Sequence, residues 1–203
     1  MNRPVAWGAP SAGRADAVRN RRHLLNTARR MLAEQSADRL TMDALAEQAG
    51  LGKGTVFRHF GTRAGIFQAL LDDDERAFQE QVLSGPPPLG PGTAPLNRLI
   101  AYGRARAGFL VEHRDIARAA LDGSQAVPIG RRTPMSQVHI RMLLGQLDLT
   151  GADLDMFAIQ LSGALDGPVL LYLSSDDLSD AAGEVGSRIG HAWQDLVERA
   201  CRP

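Results

Sequence analysis

The chain has 203 residues, of which 44% are hydrophobic, and its 23 Arg and Lys side chains balance its 23 Asp and Glu. This length suits one or two domains, and the composition is that of a globular protein with enough apolar residues for a core. The balanced total hides an asymmetry, because residues 1–63 hold 11 Arg and Lys against 5 Asp and Glu. A basic end on an acidic body predicts attraction of that end to a polyanion.

Composition also excludes several classes of protein. Cys201 is the single cysteine, which rules out an intrachain disulfide and a zinc site built from cysteines. The five histidines lack metal-ligand spacing, so we expect neither a metal nor a cofactor. No stretch reaches the roughly 18 continuous apolar residues of a membrane span, and residues 1–20 lack the apolar run of a secretory signal. These features predict a cytoplasmic protein with no membrane partner.

The chain begins with a segment that differs in composition from the rest. Residues 1–18 are rich in Gly, Pro, Ala and Arg, which predicts a disordered basic arm. The following stretch, RRHLLNTARRMLAEQ, predicts a first helix. Its apolar side chains recur at helical spacing as Leu24, Leu25, Ala28, Met31 and Leu32.

Two short helices joined by a tight turn are predicted next. Thr41 is a suitable N-cap for the second helix, because its hydroxyl can accept a hydrogen bond from an otherwise unpaired backbone N–H. Gly50 can end that helix in the left-handed conformation that glycine adopts without strain. A third helix is predicted from Lys53 to Phe60, and Gly61 ends it. A helix, a glycine turn and a second helix of similar length are typical of the helix-turn-helix unit.

The remainder of the chain also shows only helical patterns. Thr62 is expected to cap a longer fourth helix, and the five prolines within residues 84–95 predict a connecting loop after it. Further helices are predicted at 96–112, 115–121, 134–147, 153–174 and 177–200, and no strand of useful length appears. We therefore expect an all-α fold of about nine helices, with a helix-turn-helix domain at 19–63 and a larger helical domain at 64–203.

The third helix has the residue types that a recognition helix needs. Val56 and Phe60 are one turn apart and should face the core, which leaves the opposite face to Gly54, Thr55 and Arg58. Small residues allow the backbone to come close to a duplex, and an arginine can pair with a guanine through two hydrogen bonds. The pattern therefore predicts that this helix enters the major groove of DNA, with Lys53 and Phe57 at the sides of the contact.

The stretch from Thr41 to Phe67, TMDALAEQAGLGKGTVFRHFGTRAGIF, resembles the DNA-binding domain of TetR-family transcriptional regulators, and the resemblance extends over residues 20–67. It implies contacts to the DNA backbone from Thr41, Thr55, His59 and Arg63. It places Lys53, Gly54, Phe57 and Arg58 close to base edges. The chain departs from the family pattern in having Phe57 where most members have tyrosine and Gly52 where serine is usual. Asp43 stands where some members have a basic residue, which argues against base contact from the second helix.

The resemblance also implies a ligand-responsive regulator without catalytic activity, most often a repressor, that binds a palindromic operator on double-stranded DNA as a homodimer. A small apolar or amphipathic effector would bind among the helices between the proline-rich loop and the last two helices. The candidate ligand-binding residues there are Tyr102, Phe109, His113, Met135, His139, Met142, Leu143, Phe157 and Leu161. The last two helices are the expected dimer interface, with candidate residues Leu165, Val169, Leu173, Val185, Ile189, Trp193 and Leu196.

Two other functional classes remain open from the residues alone. A DNA-binding regulator controlled by a protein partner or by its abundance would need no effector, and nothing in residues 96–175 demands a cavity. An all-α carrier of small molecules, or an enzyme, would use the same scaffold. Against an enzyme, no phosphate-binding loop, Ser-His-Asp spacing or carboxylate dyad stands out in the sequence.

Overall fold

A computed structural model describes residues 12–120, 134–173 and 182–201 of the chain. Within these ranges all the regular structure is helical, as expected from the sequence. The α-helices are α1 (Ala12–Glu34), α2 (Met42–Ala49), α3 (Lys53–Phe60), α4 (Arg63–Ser84), α5 (Pro95–Glu112), α6 (Arg114–Ala119), α7 (Pro134–Leu144), α8 (Leu154–Leu173) and α9 (Ala182–Ala200). A single 3₁₀ turn at Ala37–Arg39 joins α1 to α2.

The start of the chain differs from the expectation of a disordered arm at 1–18. α1 already begins at Ala12, so the prediction is wrong for residues 12–18, while residues 1–11 lie outside the described residues. The segment is rich in alanine and arginine, which favour helix, and it extends α1 without a buried face of its own. Val18, for example, is 65% exposed.

The chain divides into two compact units, residues 1–70 and residues 71–203. The division falls inside α4 and not at residue 63, where the sequence suggested it. The reason is that the first two turns of α4 are apolar and belong to the first unit: Ile66, Phe67 and Leu70 are fully buried. The first unit is therefore larger by one helical segment than the predicted DNA-binding domain.

The first unit packs α1 against α2 and α2 against α3. Its buried side chains are those that the helical spacing predicted, including Leu24, Leu25, Ala28 and Met31 on α1 and Leu45, Ala46 and Ala49 on α2. One side-chain hydrogen bond joins α1 to the end of α2, between His23 Nε2 and the carbonyl oxygen of Ala49 at 2.9 Å. The short helices of this unit are therefore held by tertiary packing, since eight residues alone rarely form a stable helix.

The second unit is organised around the close crossing of α5 and α9, with α7 and α8 paired beside them. At the crossing, Gly103 of α5 lies against Trp193 of α9, whose Nε1 donates to the carbonyl oxygen of Leu99 at 3.0 Å. The main apolar cluster of this unit has at its centre Leu99, Ile140, Leu143, Leu144, Leu161 and Leu165. No helix in the described part of the chain has the length and apolar composition to cross a membrane.

The ends of the later helices differ little from the expected ones. α5, α6 and α8 agree with the predicted 96–112, 115–121 and 153–174 within two residues. α7 is shorter than the predicted 134–147 because it ends at Leu144, immediately before Gly145. α9 begins at Ala182, and residues 177–181 of the predicted last helix lie outside the described residues.

Candidate nucleic-acid interface

The turn between α2 and α3 forms as the sequence predicts. Thr41 caps α2, its Oγ1 accepting from the backbone N–H of Ala44 at 3.1 Å. Gly50 adopts the left-handed conformation with φ of 64°, and the following N–H of Leu51 donates to the carbonyl oxygen of Ala46 at 3.0 Å. These bonds satisfy backbone groups at both ends of α2 and fix where α3 starts.

α3 buries one face and presents the other to solvent. Val56 is fully buried and Phe60 is 8% exposed, while the guanidinium of Arg21 lies over the Phe60 ring at 5.6 Å. Gly61 ends the helix with φ of 70°, a conformation that favours glycine. Thr62 caps α4, because its Oγ1 accepts from the N–H of Gly65 at 3.0 Å. Gly61 therefore ends α3, and the Thr62 cap begins α4 immediately after it.

The outward face of α3 is open to an incoming ligand. Lys53, Gly54 and Arg58 are exposed, and Phe57 is 65% exposed, which is unusual for an aromatic ring. A Cβ added at Gly52 or Gly54 would meet no other atom within 4 Å. Gly52 and Gly54 therefore leave the backbone accessible at the N-terminal end of this face, which also carries two cations and an aromatic ring. These features suit contact with the base edges and phosphates of a duplex.

Lys53 and Arg58, the two cations on this face, differ in their contacts. Lys53 Nζ lies 2.8 Å from Oδ2 of Asp43 on α2, and both side chains are largely exposed. Arg58 forms no ion pair or hydrogen bond with any residue that the structure describes, and it stands free toward solvent. The Asp43 to Lys53 pair did not emerge from the sequence, because ten residues and a turn separate the two positions. The charge complementarity of the pair was visible, but not its geometry.

The structure gives Arg63 a mainly internal role. Its Nε donates to the carbonyl oxygen of Leu40 at 2.9 Å, and a terminal nitrogen donates to the carbonyl oxygen of Ala37 at 2.7 Å. Its guanidinium also lies over the Phe67 ring at 4.9 Å. Arg63 therefore stabilises the loop between α1 and α2. A contact of Arg63 with a phosphate, as expected from the sequence, would use its remaining N–H groups.

His59 is half-buried at the far end of α3. Burial lowers the pKa of its imidazole, and the neighbouring Arg21 and Arg58 lower the pKa further. A neutral imidazole can still donate one hydrogen bond to a phosphate, but it adds no full positive charge. Thr55 is also half-buried, whereas Thr41 is exposed, so its hydroxyl proton remains available while its oxygen caps α2.

The predicted ligand-binding residues do not form one group in the second unit. Tyr102, His139, Leu143 and Leu161 are buried together in the main apolar cluster, and Phe157 packs against that cluster. Phe109 and His113 form a stack with ring centroids 4.1 Å apart, and this stack reaches the Tyr102 ring only through Phe78. Met135 and Met142 on α7 are 41% and 40% exposed and do not belong to the buried cluster.

A buried polar contact lies inside the main apolar cluster. The Tyr102 hydroxyl donates to Oγ of Ser136 at 2.6 Å, and the Tyr102 ring lies 4.8 Å from the His139 ring. Burial and, to a smaller extent, the charge of Arg98 lower the pKa of His139 to about 4, so the ring is neutral near pH 7. His139 is 6% exposed, and its Nε2 has no hydrogen-bond partner in the described part of the chain. Sequence reasoning missed Ser136, although its position one turn before His139 on α7 indicates a shared face.

The predicted dimer interface on α8 and α9 is only partly accessible. Five of its residues are buried in the chain's own core, namely Leu165, Val169, Val185, Ile189 and Trp193. Of these, Ile189 and Trp193 also line an open groove between α8 and α9 together with Leu196. Leu196 is 40% exposed, and the side chain of Leu173 lies outside the described residues. The hydrophobic spacing identified the inward face correctly, but this face packs within the unit.

No group of three or more His, Cys, Asp and Glu side chains that could hold a metal ion exists among the described residues. Arg106 and His113 contact acidic side chains of α4 in the second unit. Arg106 of α5 donates to Glu75 of α4 at 2.6 Å, and its guanidinium lies over the rings of Phe78 and Phe109. His113 Nε2 lies 3.3 Å from Asp74. These contacts join α4 to α5 inside this unit.

Comparison with known proteins identifies the first unit. Residues 24–70 match the family described as "Bacterial regulatory proteins, tetR family". An HTH-type transcriptional regulator of Staphylococcus aureus is 28% identical over 68 residues, which are 34% of this chain and 37% of that protein. The HTH-type transcriptional repressor AcnR of Corynebacterium efficiens is 35% identical over 65 residues, or 32% of this chain and 35% of AcnR. The matched part thus spans little more than a third of either relative.

A solved structure extends the likeness to most of the chain. A protein of Clostridium perfringens, described as a fatty acid metabolism regulator, superposes with a TM-score of 0.50 at 19% identity. The superposition covers 85% of this chain and 97% of that protein. At this identity the likeness shows a shared fold and nothing more.

Proposed function

We propose that this chain is a transcriptional regulator of the TetR family, which its N-terminal unit resembles, and that it binds double-stranded DNA in the cytoplasm without catalysing a reaction. The observation that carries this proposal is the outward face of α3, where Arg58 stands free beside the exposed Phe57 ring and two glycines leave the backbone open. An exposed aromatic ring and an unpaired cation on a short rigid helix favour a partner with stacked, anionic surfaces.

The contacts divide into two kinds in the proposed complex. Arg58 and Phe57 lie at base edges in the major groove, where Arg58 pairs with a guanine and the ring contacts a thymine methyl group. Thr41, Thr55 and His59 donate hydrogen bonds to phosphates and set the register of the helix. The helix N-terminus at Gly52 adds unpaired backbone N–H groups that favour an anion.

Two copies acting together would read a palindromic operator. α8 exposes Met156, Ile159 and Leu171 at helical spacing, and they are 50%, 48% and 78% exposed. An open groove of about 340 Å³ between α8 and α9 is lined on α8 by Ala164 and Pro168 and on α9 by Ile189, Ala192, Trp193 and Leu196, among others. Apolar side chains beside a shallow groove suit a self-complementary contact, so we propose that this outer surface of α8 and α9 forms the homodimer.

An effector would bind in the second unit and release the operator, which makes the chain a repressor. The unpaired Nε2 of the buried His139, beside the Tyr102 to Ser136 hydrogen bond, is the polar anchor that supports this proposal. The surrounding side chains are apolar, so the effector is a small amphipathic molecule with one polar group. Its binding must favour one arrangement of the two DNA-binding units over another, because equal affinity for both would change nothing.

Replacement of Arg58 and Arg63 tests the assignment of contacts. Arg58→Ala should lower the affinity for the preferred sequence by about tenfold to a hundredfold and abolish the preference at one base position, as expected for a lost bidentate pair. The melting temperature should not change, because Arg58 forms no hydrogen bond or ion pair with the described residues. Arg63→Ala should instead lower the melting temperature of the first unit, since the Leu40 carbonyl group loses the Arg63 donor and the Ala37 carbonyl group retains only the N–H of Leu40 as a donor.

The measurement combines selection of sequences from a randomised duplex pool with thermal denaturation of each variant. Arg63→Lys serves as a control, because a lysine keeps the charge but cannot bridge both carbonyl oxygens. If Arg58→Ala retained the full base preference, or if the two alanine variants behaved alike in both measurements, the division of contacts would be wrong.

The effector proposal predicts that His139→Leu impairs ligand binding and leaves DNA binding intact. A series of medium-chain alcohols, amides and carboxylic acids would be screened by thermal shift and for weakening of the DNA complex. Compounds that act on the wild type should bind the variant about tenfold more weakly, since a buried hydrogen bond of about 1 to 2 kcal/mol is lost. His191→Leu, at an exposed position of α9, is the matched control and should respond as the wild type does.

A regulator without an effector remains the second candidate. The observation in its favour is the dense packing around His139, where Leu143 and Ile140 are fully buried and Leu161 is 2% exposed. If no compound in the series changed the DNA affinity of the wild type, and His139→Leu only altered stability, control by a partner protein or by abundance would replace ligand response.

A further inference from the structure

Lys53 occupies an unusual place in both the sequence and the structure. It is the only lysine of the chain, in which every other permanent cation is an arginine. It is also the first residue of α3, where the positive end of the helix dipole disfavours a cation. A lysine at this position therefore needs a compensating anion, and the structure places one there.

That anion is Asp43, the second residue of α2. Its Oδ2 lies 2.8 Å from Lys53 Nζ, and the two side chains are 68% and 74% exposed. The carboxylate lies in the first turn of α2, where a negative charge is favourable, and it also neutralises the ammonium at the start of α3. One aspartate thus serves the N-terminal ends of both helices of the helix-turn-helix.

The pair affects phosphates and bases differently. A phosphate that bound Lys53 would lie within a few ångströms of the Asp43 carboxylate, and two anions at that distance repel each other. A base edge carries no net charge and meets no such repulsion. Lysine has three N–H donors, so an ammonium that gives one to Asp43 keeps two for acceptors such as O6 and N7 of guanine.

We propose that Asp43 is a specificity-determining residue of the DNA interface, because it withholds Lys53 from the phosphate backbone and reserves it for base edges. The proposal rests on the proposed DNA-binding function. It assigns to α2 a role in sequence preference that does not require Asp43 to contact a base. Without Asp43, Lys53 would become an ordinary phosphate ligand and would strengthen binding to every sequence alike.

The test compares Asp43→Asn with Glu47→Gln in the full chain. Glu47 is exposed on the same helix one turn later, so both variants remove one negative charge from α2. Affinities are measured by fluorescence anisotropy for a random-sequence duplex and for the best duplex selected by the wild type. Asp43→Asn should bind the random duplex about fivefold more tightly. For that duplex, the slope of log affinity against log salt concentration should become steeper by about one for each DNA-binding unit that is bound. The selected duplex should change less than twofold, so discrimination falls about fivefold.

A second pair of variants shows whether the effect passes through Lys53. In the Lys53→Met background, Asp43→Asn should change the random-duplex affinity no more than Glu47→Gln does, because the ammonium is absent. Thermal denaturation of each variant verifies that the first unit remains folded, and only the ratio of the two affinities reports on specificity.

The outcomes separate this inference from the function on which it rests. Equal effects of Asp43→Asn and Glu47→Gln, or an Asp43→Asn effect that persists in Lys53→Met, would overturn the role of Asp43 while leaving DNA binding in place. A wild-type chain that selects no sequence and binds no duplex would overturn both.

Discussion

The affinity of the chain for duplex DNA should fall about a thousandfold when the salt concentration rises from 50 to 200 mM. Binding releases the counterions condensed on the phosphates, and about six neutralised phosphates give a loss of this size. The first unit supports such contacts, since residues 1–63 carry 11 basic against 5 acidic side chains. Exposed arginines include Arg22, Arg39 and Arg58.

The slope of log affinity against log salt concentration also reports how many DNA-binding units bind one duplex at the same time. With about three phosphates for each unit, a single unit would lose only about fortyfold over the same range, whereas a dimer loses about a thousandfold. Fluorescence anisotropy at four salt concentrations gives the slope, and sedimentation equilibrium gives the number of chains in solution. An affinity that does not change with salt would reject DNA as the partner, and a monomer with the smaller slope would reject the α8 and α9 dimer.

Gly103→Ala should destabilise the second unit by about 3 kcal/mol. A Cβ at this position would overlap the indole ring of Trp193, where α5 and α9 cross. Overpacking of this kind costs about 1 to 3 kcal/mol, and displacement of the indole would also break the buried hydrogen bond from Nε1 to Leu99. The melting temperature should fall by roughly 10 °C.

Gly108→Ala is the matched control on the same helix. A Cβ at Gly108 would meet no atom within 4 Å, so alanine should stabilise α5 by about 0.5 to 1 kcal/mol through its higher helix propensity. Thermal and urea denaturation, followed by circular dichroism, would measure both variants. A Gly103→Ala chain as stable as the wild type would mean that α5 and α9 do not approach each other as closely as the structure indicates.

The first unit was predictable because its signals are local. The Thr41 cap, the left-handed Gly50 and the end of α3 at Gly61 each depend on a residue and its neighbours within one helical turn. The inward position of Val56 and Phe60 follows from the helical period alone. The start of α1 at Ala12 was missed because composition suggested disorder, whereas alanine and arginine favour helix.

The second unit was less predictable because its geometry depends on which helix each face meets. Periodicity marked Leu165, Val169 and Ile189 as members of apolar faces, but a period does not distinguish a face that packs within the chain from one that packs against a second copy. The same limit applies to Met135 and Met142, which are apolar like the residues of the core but are partly exposed at the surface. Contacts between distant segments, such as Gly103 with Trp193, leave no local signal.

The amino-acid sequence by itself determined the all-helical fold, the helix-turn-helix with its caps and the exposed face of α3, because each depends on interactions within a few residues. Only the tertiary structure decided that Lys53 pairs with Asp43, that Arg63 holds the carbonyl groups of Ala37 and Leu40, and that Leu165, Val169 and Val185 lie inside the chain. These contacts join residues that a turn or a whole helix separates, and their free energy exists only once packing has brought the segments together.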